Sequence, residues 1–133
     1  MDLILTCLLG FVIALILHEL THLIVITYYE IPIKAIIITK WTAIGFLVDN
    51  EAYLGNNKIM TLLHFSPLIW CLVIFINPGN FFLLMFPIVN IFGGVGDIYY
   101  YLRFLPLSND ERFKLARESD DKIIKSIIWK IDF

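Results

Sequence analysis

The chain has 133 residues, of which 59% are hydrophobic, 15% aromatic and only 17% charged, with a formal net charge of −2. A soluble domain of this size has too little interior to hide so much apolar surface, and soluble chains carry about 25% charged residues. A soluble globular protein is therefore excluded and an integral membrane protein is expected, with the lipid bilayer and a membrane protein or peptide as partners and no nucleic acid; the net charge itself says little about partners.

The first long apolar segment runs from about residue 3 to 29. No Lys or Arg precedes it and no small-residue cleavage site interrupts it, so it reads as a retained transmembrane helix rather than a signal peptide. Residues 31–57 differ in character. Ile33, the run 35–39 and the run 44–48 are β-branched and apolar, and they flank Lys40-Trp41-Thr42, which predicts a membrane-associated β-hairpin. Trp41 and Phe46 would anchor it in lipid or meet a substrate.

A second span is expected over about 59–76, containing Pro67, which should kink it unless a neighbour satisfies the carbonyl it frees. Asn77-Pro78-Gly79-Asn80 has the composition of a tight turn into a third span over about 81–105. The expected fold is thus an all-α membrane protein of three transmembrane helices with one β-hairpin.

After Pro106 the chain turns polar, and Ser108-Asn109-Asp110-Glu111 has the form of a capping box. Ile123, Ile124, Ile127, Ile128 and Ile131 recur at helical spacing among lysines, predicting that 106–133 is a cytoplasmic amphipathic tail on the membrane surface. An Ile-rich run fits a third β-strand as well. All ten basic residues fall between Lys34 and Lys58 or from Arg103 onward, so the positive-inside rule places both regions in the cytoplasm and the N-terminus outside. Cys7 and Cys71 lie in apolar runs without a CxxC spacing and read as buried small side chains. Heavy use of Ile, Asn and Lys points to an AT-rich prokaryotic genome.

The chemistry sits in the first span. His18-Glu19-Leu20-Thr21-His22 is HExxH: on a helix the two imidazoles share one face and can hold one Zn²⁺ per chain, with Glu19 beside them as general base. By composition the motif would arise in roughly one shuffled chain in several hundred. Placing a carboxylate at mid-bilayer costs about 2.5–3.5 kcal/mol, so its presence there signals use.

A catalytic zinc needs a third protein ligand. At about 1.5 Å per residue, His22 and His18 lie roughly 10 and 16 Å from the inner end of their helix, and Asp97 lies roughly 12 Å from the same face. His64, roughly 9 Å deep in the second span, competes for the role; Asp97 is the favoured ligand and His64 an accessory or hydrogen-bonding residue. Gly93, Gly94 and Gly96 would let the helices close on the site. Asn90, two turns before Asp97, is a candidate for binding substrate backbone or the developing oxyanion, or for an interhelical contact.

HExxH in the first helix, a following hairpin and Asn90…Gly96-Asp97-Ile98 in the third together resemble the site-2 protease clan, most nearly a branch classed only as zincin peptidases. The resemblance covers roughly residues 5–105. It implies an intramembrane zinc endopeptidase with two His and one Asp as ligands and Glu as base, acting on membrane-embedded or membrane-proximal peptides. The larger clan usually carries Asn-x-x-Pro and Asp-Gly; here the Pro is missing and Ile98 replaces Gly. The other classes the residues allow are a metal-ion transporter, a haem or quinone carrier, and a non-catalytic metal-binding subunit.

Overall fold

The computed structural model describes residues 2–40 and 45–133. Trp41, Thr42 and Ile44, which belong to the hairpin expected above, lie outside the described residues. Helix α1 covers Leu3–Tyr28 and opens at Asp2, whose carboxylate accepts the amide of Ile4. Strands β1 (Ile33–Thr39) and β2 (Gly45–Val48) follow, then a short 3-10 turn over Asn50–Ala52. Helix α2 (Asn57–Phe65) is capped by the Asn56 side chain and passes at Ser66 into a 3-10 helix that runs to Ile76. Helix α3 is Phe81–Phe104, capped by Asn80 after the predicted turn. Helix α4 is Asn109–Ser126, with the Ser108 hydroxyl accepting the Glu111 amide as a capping box requires, and strand β3 is Ile127–Asp132.

Among the described residues, three helical segments are long and apolar enough to cross a membrane: Leu3–Tyr28, Asn57–Ile76 and Phe81–Phe104. Their outward surfaces carry exposed side chains such as Ile4, Ile24, Phe75, Phe92 and Val95. A surface so uniformly apolar suits hydrocarbon rather than water. The helices touch through small residues. A Cβ added at Gly10 would lie 2.6 Å from the carbonyl oxygen of Phe82, so glycine sets the closest approach of α1 to α3. A Cβ at Gly94 would come within 3.0 Å of Leu68. Gly96, by contrast, has nothing within 4 Å of its ideal Cβ, so the expectation that all three glycines of α3 serve helix approach holds only in part.

The hairpin is present, but it belongs to a three-stranded sheet of order β2-β1-β3, antiparallel throughout. Ile36 pairs with Phe46 on one side and with Ile131 on the other. Ala35, Ile37 and Thr39 alternate inward, as one buried face of a sheet demands. The reading of 123–131 as an amphipathic helical face is therefore corrected. The helix ends at Ser126, and the run Ile127-Ile128-Trp129 goes instead to the edge of β1, where β-branched and aromatic residues fit the pleat.

Helix α4 docks on the protein. Arg112, Ala116, Ser119, Asp120 and Ile123 share one face; Arg112 and Ala116 are buried, and Ala116 joins a core cluster with Ile26, Leu54, Met60 and Phe104. Arg112 is 5% exposed and donates to the carbonyl oxygens of Leu54, Phe104 and Leu105 and to Asn57 Oδ1, all at 2.7–2.9 Å. These bonds satisfy end carbonyls of α3 and tie it to the start of α2. Arg112→Met, which keeps the stem but withdraws all four bonds and leaves the Phe104 carbonyl with the Leu107 amide, is expected to cost about 3 kcal/mol. Thermal unfolding in detergent would show it as a clear drop in midpoint, whereas a midpoint equal to the wild type's would mean the cradle is immaterial.

Candidate metal centre

The structure brings His18, His22 and Asp97 together: one donor atom from each lies within 4.8 Å of the others. His22 Nε2 is 3.2 Å and His18 Nε2 3.6 Å from Asp97 Oδ2. The two rings stand edge to face, 4.9 Å apart, as i and i+4 positions on α1 permit. These are the three groups that depth arithmetic set at one level, α1 supplying two and α3 the third.

Hydrogen bonds behind the rings decide which nitrogens face inward. Asn90, fully buried, donates through Nδ2 to the carbonyl of Phe86 at 2.7 Å, and a carbonyl can only accept, so the amide orientation follows. Asn90 Oδ1 is then the partner of His18 Nδ1 at 2.9 Å, and that nitrogen must carry the proton. His22 Nδ1 likewise donates to the carbonyl of Leu63 at 2.8 Å. Both Nε2 atoms therefore point lone pairs at a carboxylate oxygen. Three electron-rich atoms converging on one point repel each other unless a cation lies among them or the rings protonate. A donor set of two imidazoles and a carboxylate fits zinc in type and number and leaves a coordination position for water or substrate.

Of the remaining sequence candidates, Glu19 is half-buried and lines the cavity beside the cluster without belonging to it. His64 also lines that cavity, but its Nδ1 donates to the Met60 carbonyl one turn back in its own helix, and its ring lies among Tyr53 and Tyr101. It stands apart from the three-residue cluster. Asn90 gives one of its two amide N–H groups to Phe86 and accepts from His18 through Oδ1, which is the interhelical contact that was its alternative reading. Gly93 sits against the His18 ring, where a Cβ would lie 3.5 Å from Cε1.

Sequence reasoning did not single out Thr21 and Trp70. Trp70 Nε1 donates to the Thr21 hydroxyl at 2.8 Å, and that hydroxyl donates to the Leu17 carbonyl at 2.7 Å, fixing the motif helix against the second span. Thr21 lies inside the motif, which is the only signal that could have drawn attention to it.

The cavity measures about 570 Å³. Its walls come from α1, α2 and α3, from Gly45–Val48 of β2, and from Ser119, Asp120 and Ile123 of α4. Asn50 donates to Asp120 at 2.7 Å and accepts from the Tyr53 hydroxyl at 3.1 Å, joining the 3-10 turn to α4 at the far wall. Burial pushes the Asp120 carboxyl above its ordinary value, an effect that Asn50 and Lys34 oppose. No family model, curated protein or solved structure matches this chain.

Proposed function

We propose that the protein is an intramembrane zinc endopeptidase that hydrolyses peptide bonds of membrane-embedded or membrane-proximal substrates. The observation that carries this reading is the convergence of His18 Nε2, His22 Nε2 and Asp97 Oδ2 on one point, next to Glu19, in a cavity among three span-length helices. The resemblance of HExxH and Gly96-Asp97 to the site-2 protease clan, carried by the same residues, supports it.

Zinc, when bound, supplies a Lewis acid that acidifies water and polarises the scissile carbonyl. Glu19 takes the proton from the attacking water and passes it to the leaving amine. Asn90 and the Leu63 carbonyl hold the two imidazoles in the tautomer that leaves Nε2 free. Hydrolysis needs an extended substrate backbone, and β2 offers a place for one. Among the described residues β2 is paired only with β1, its residues line the cavity, and the other edge of β1 is taken by β3. A peptide added to β2 as a further strand would run along the cavity wall. Phe46, which lines that cavity, would then meet substrate side chains.

The same reading places the protein in a prokaryotic cell membrane, N-terminus outside and C-terminus in the cytoplasm. A reporter fused after Phe133 should behave as cytoplasmic; an external signal would reverse the orientation. The function itself is tested by incubating the purified protein with transmembrane peptides. Cleavage should stop when a chelator removes the metal and return with zinc. Cleavage indifferent to chelation, or none with zinc bound, would sink the reading.

A further inference from the structure

The second span changes character at one place. Up to Phe65 it is α-helix, from Ser66 it is 3-10 helix, and Pro67 stands at the second position of the new segment, fully buried. The Ser66 amide still bonds to Leu62 in the α-helical manner. The next bond in that series would run from the amide of residue 67 to the carbonyl of Leu63. Proline has no N–H to make it, and its ring pushes against the carbonyl four residues back. That carbonyl, on Leu63, is the one that accepts from His22 Nδ1 at 2.8 Å.

We propose that Pro67 is a positioning residue of the metal centre: by withholding its backbone donor it turns the Leu63 carbonyl outward to fix the tautomer and orientation of His22. This rests on reading His18, His22 and Asp97 as a metal centre. A freed carbonyl in an apolar span needs a donor, and His22 needs an acceptor that leaves Nε2 free; each satisfies the other. The pairing also crosses from α1 to α2, so the motif helix is registered against the second span at the level of the metal.

Proline alone does not have this effect. Pro87 inside α3 must likewise free the carbonyl of Leu83, yet no metal-site residue is bonded there among the described residues, so Pro87 is an internal control.

The test measures zinc affinity by chelator competition on the full-length protein in detergent, with the visible spectrum of the Co²⁺-loaded form as a second readout. Pro67→Ala returns the N–H and should weaken zinc about tenfold, the lower end for loss of an outer partner, and shift the Co²⁺ bands. Pro87→Ala should leave both unchanged. Placing the α-hydroxy analogue of alanine at position 67, which makes an ester and so again lacks the N–H, should recover most of the affinity. A merely structural role for the ring would not be rescued in this way.

Zinc affinity in Pro67→Ala within twofold of wild type, or an ester no better than alanine, overturns the proposal. If Pro67→Ala does not fold, the wild-type protein still decides: ¹⁵N shifts of metal-loaded His22 should show Nε2 on the metal and a proton on Nδ1, and metal on Nδ1 would refute the proposal. A wild-type protein that binds no metal would instead sink the metal-centre reading beneath it.

Discussion

Glu19→Gln is expected to lower peptide cleavage by about 10²–10⁴-fold while the protein keeps one zinc per chain. Glutamine has nearly the same volume and hydrogen-bonding reach, so α1 and the cavity wall should be undisturbed, but its amide cannot accept a proton from water. Glu19 lies between the two imidazoles in sequence and lines the cavity, yet it stands outside the cluster of His18, His22 and Asp97. Metal content should therefore be indifferent to it. Mass-spectrometric detection of peptide products, with elemental analysis of the same sample, reads both quantities. The pairing matters because the competing classes predict otherwise: a transporter that used Glu19 as an ion ligand would lose zinc with the carboxylate. A non-catalytic subunit would show no cleavage for the substitution to remove. Zinc lost from Glu19→Gln would mean the carboxylate is a ligand, and cleavage at the wild-type rate would mean that another group takes the proton.

How much of this was legible beforehand differs from element to element, for physical reasons. The two imidazoles followed from helical periodicity, and Asp97 from counting rise per residue in two helices that share a membrane face. Those arguments use only local geometry, which sequence encodes well. The helix start at Ser108 was legible for the same reason, since a cap is a local bond, whereas Asn80 was read only as the end of a turn. The strand β3 was ambiguous because Ile127, Ile128 and Ile131 fit both periods, and only the open edge of β1, a tertiary fact, decides between them. The release of a carbonyl by Pro67 could be read from sequence, but not that His22 receives it. Arg112 was invisible because three of its four acceptors are backbone carbonyls, which every residue has. Asn90 was singled out by its spacing to Asp97, for substrate binding or an interhelical contact, while its partner, His18, depends on the rotation of α3 about its axis.

Asp97→Ala is expected to strip the centre of zinc, with His64→Ala as the contrasting case. Asp97 brings the only negative charge among the three clustered donors, and its Oδ2 is the atom both Nε2 nitrogens face. Without it two imidazoles from one helix remain, a set too small for a catalytic site, which takes three protein ligands. Affinity should fall by at least the ~10–100-fold that losing an outer-shell partner causes, because a direct ligand is removed. The purified protein would then hold well under one zinc per chain after gel filtration. Asp97→Asn, which keeps the shape and one oxygen but not the charge, should lie between alanine and wild type. His64 has its Nδ1 bonded to Met60 in its own helix and lies outside the cluster, so its removal should leave zinc content at the wild-type value. If instead His64→Ala empties the centre and Asp97→Ala does not, the third ligand is His64. The second span, rather than the third, would then complete the site.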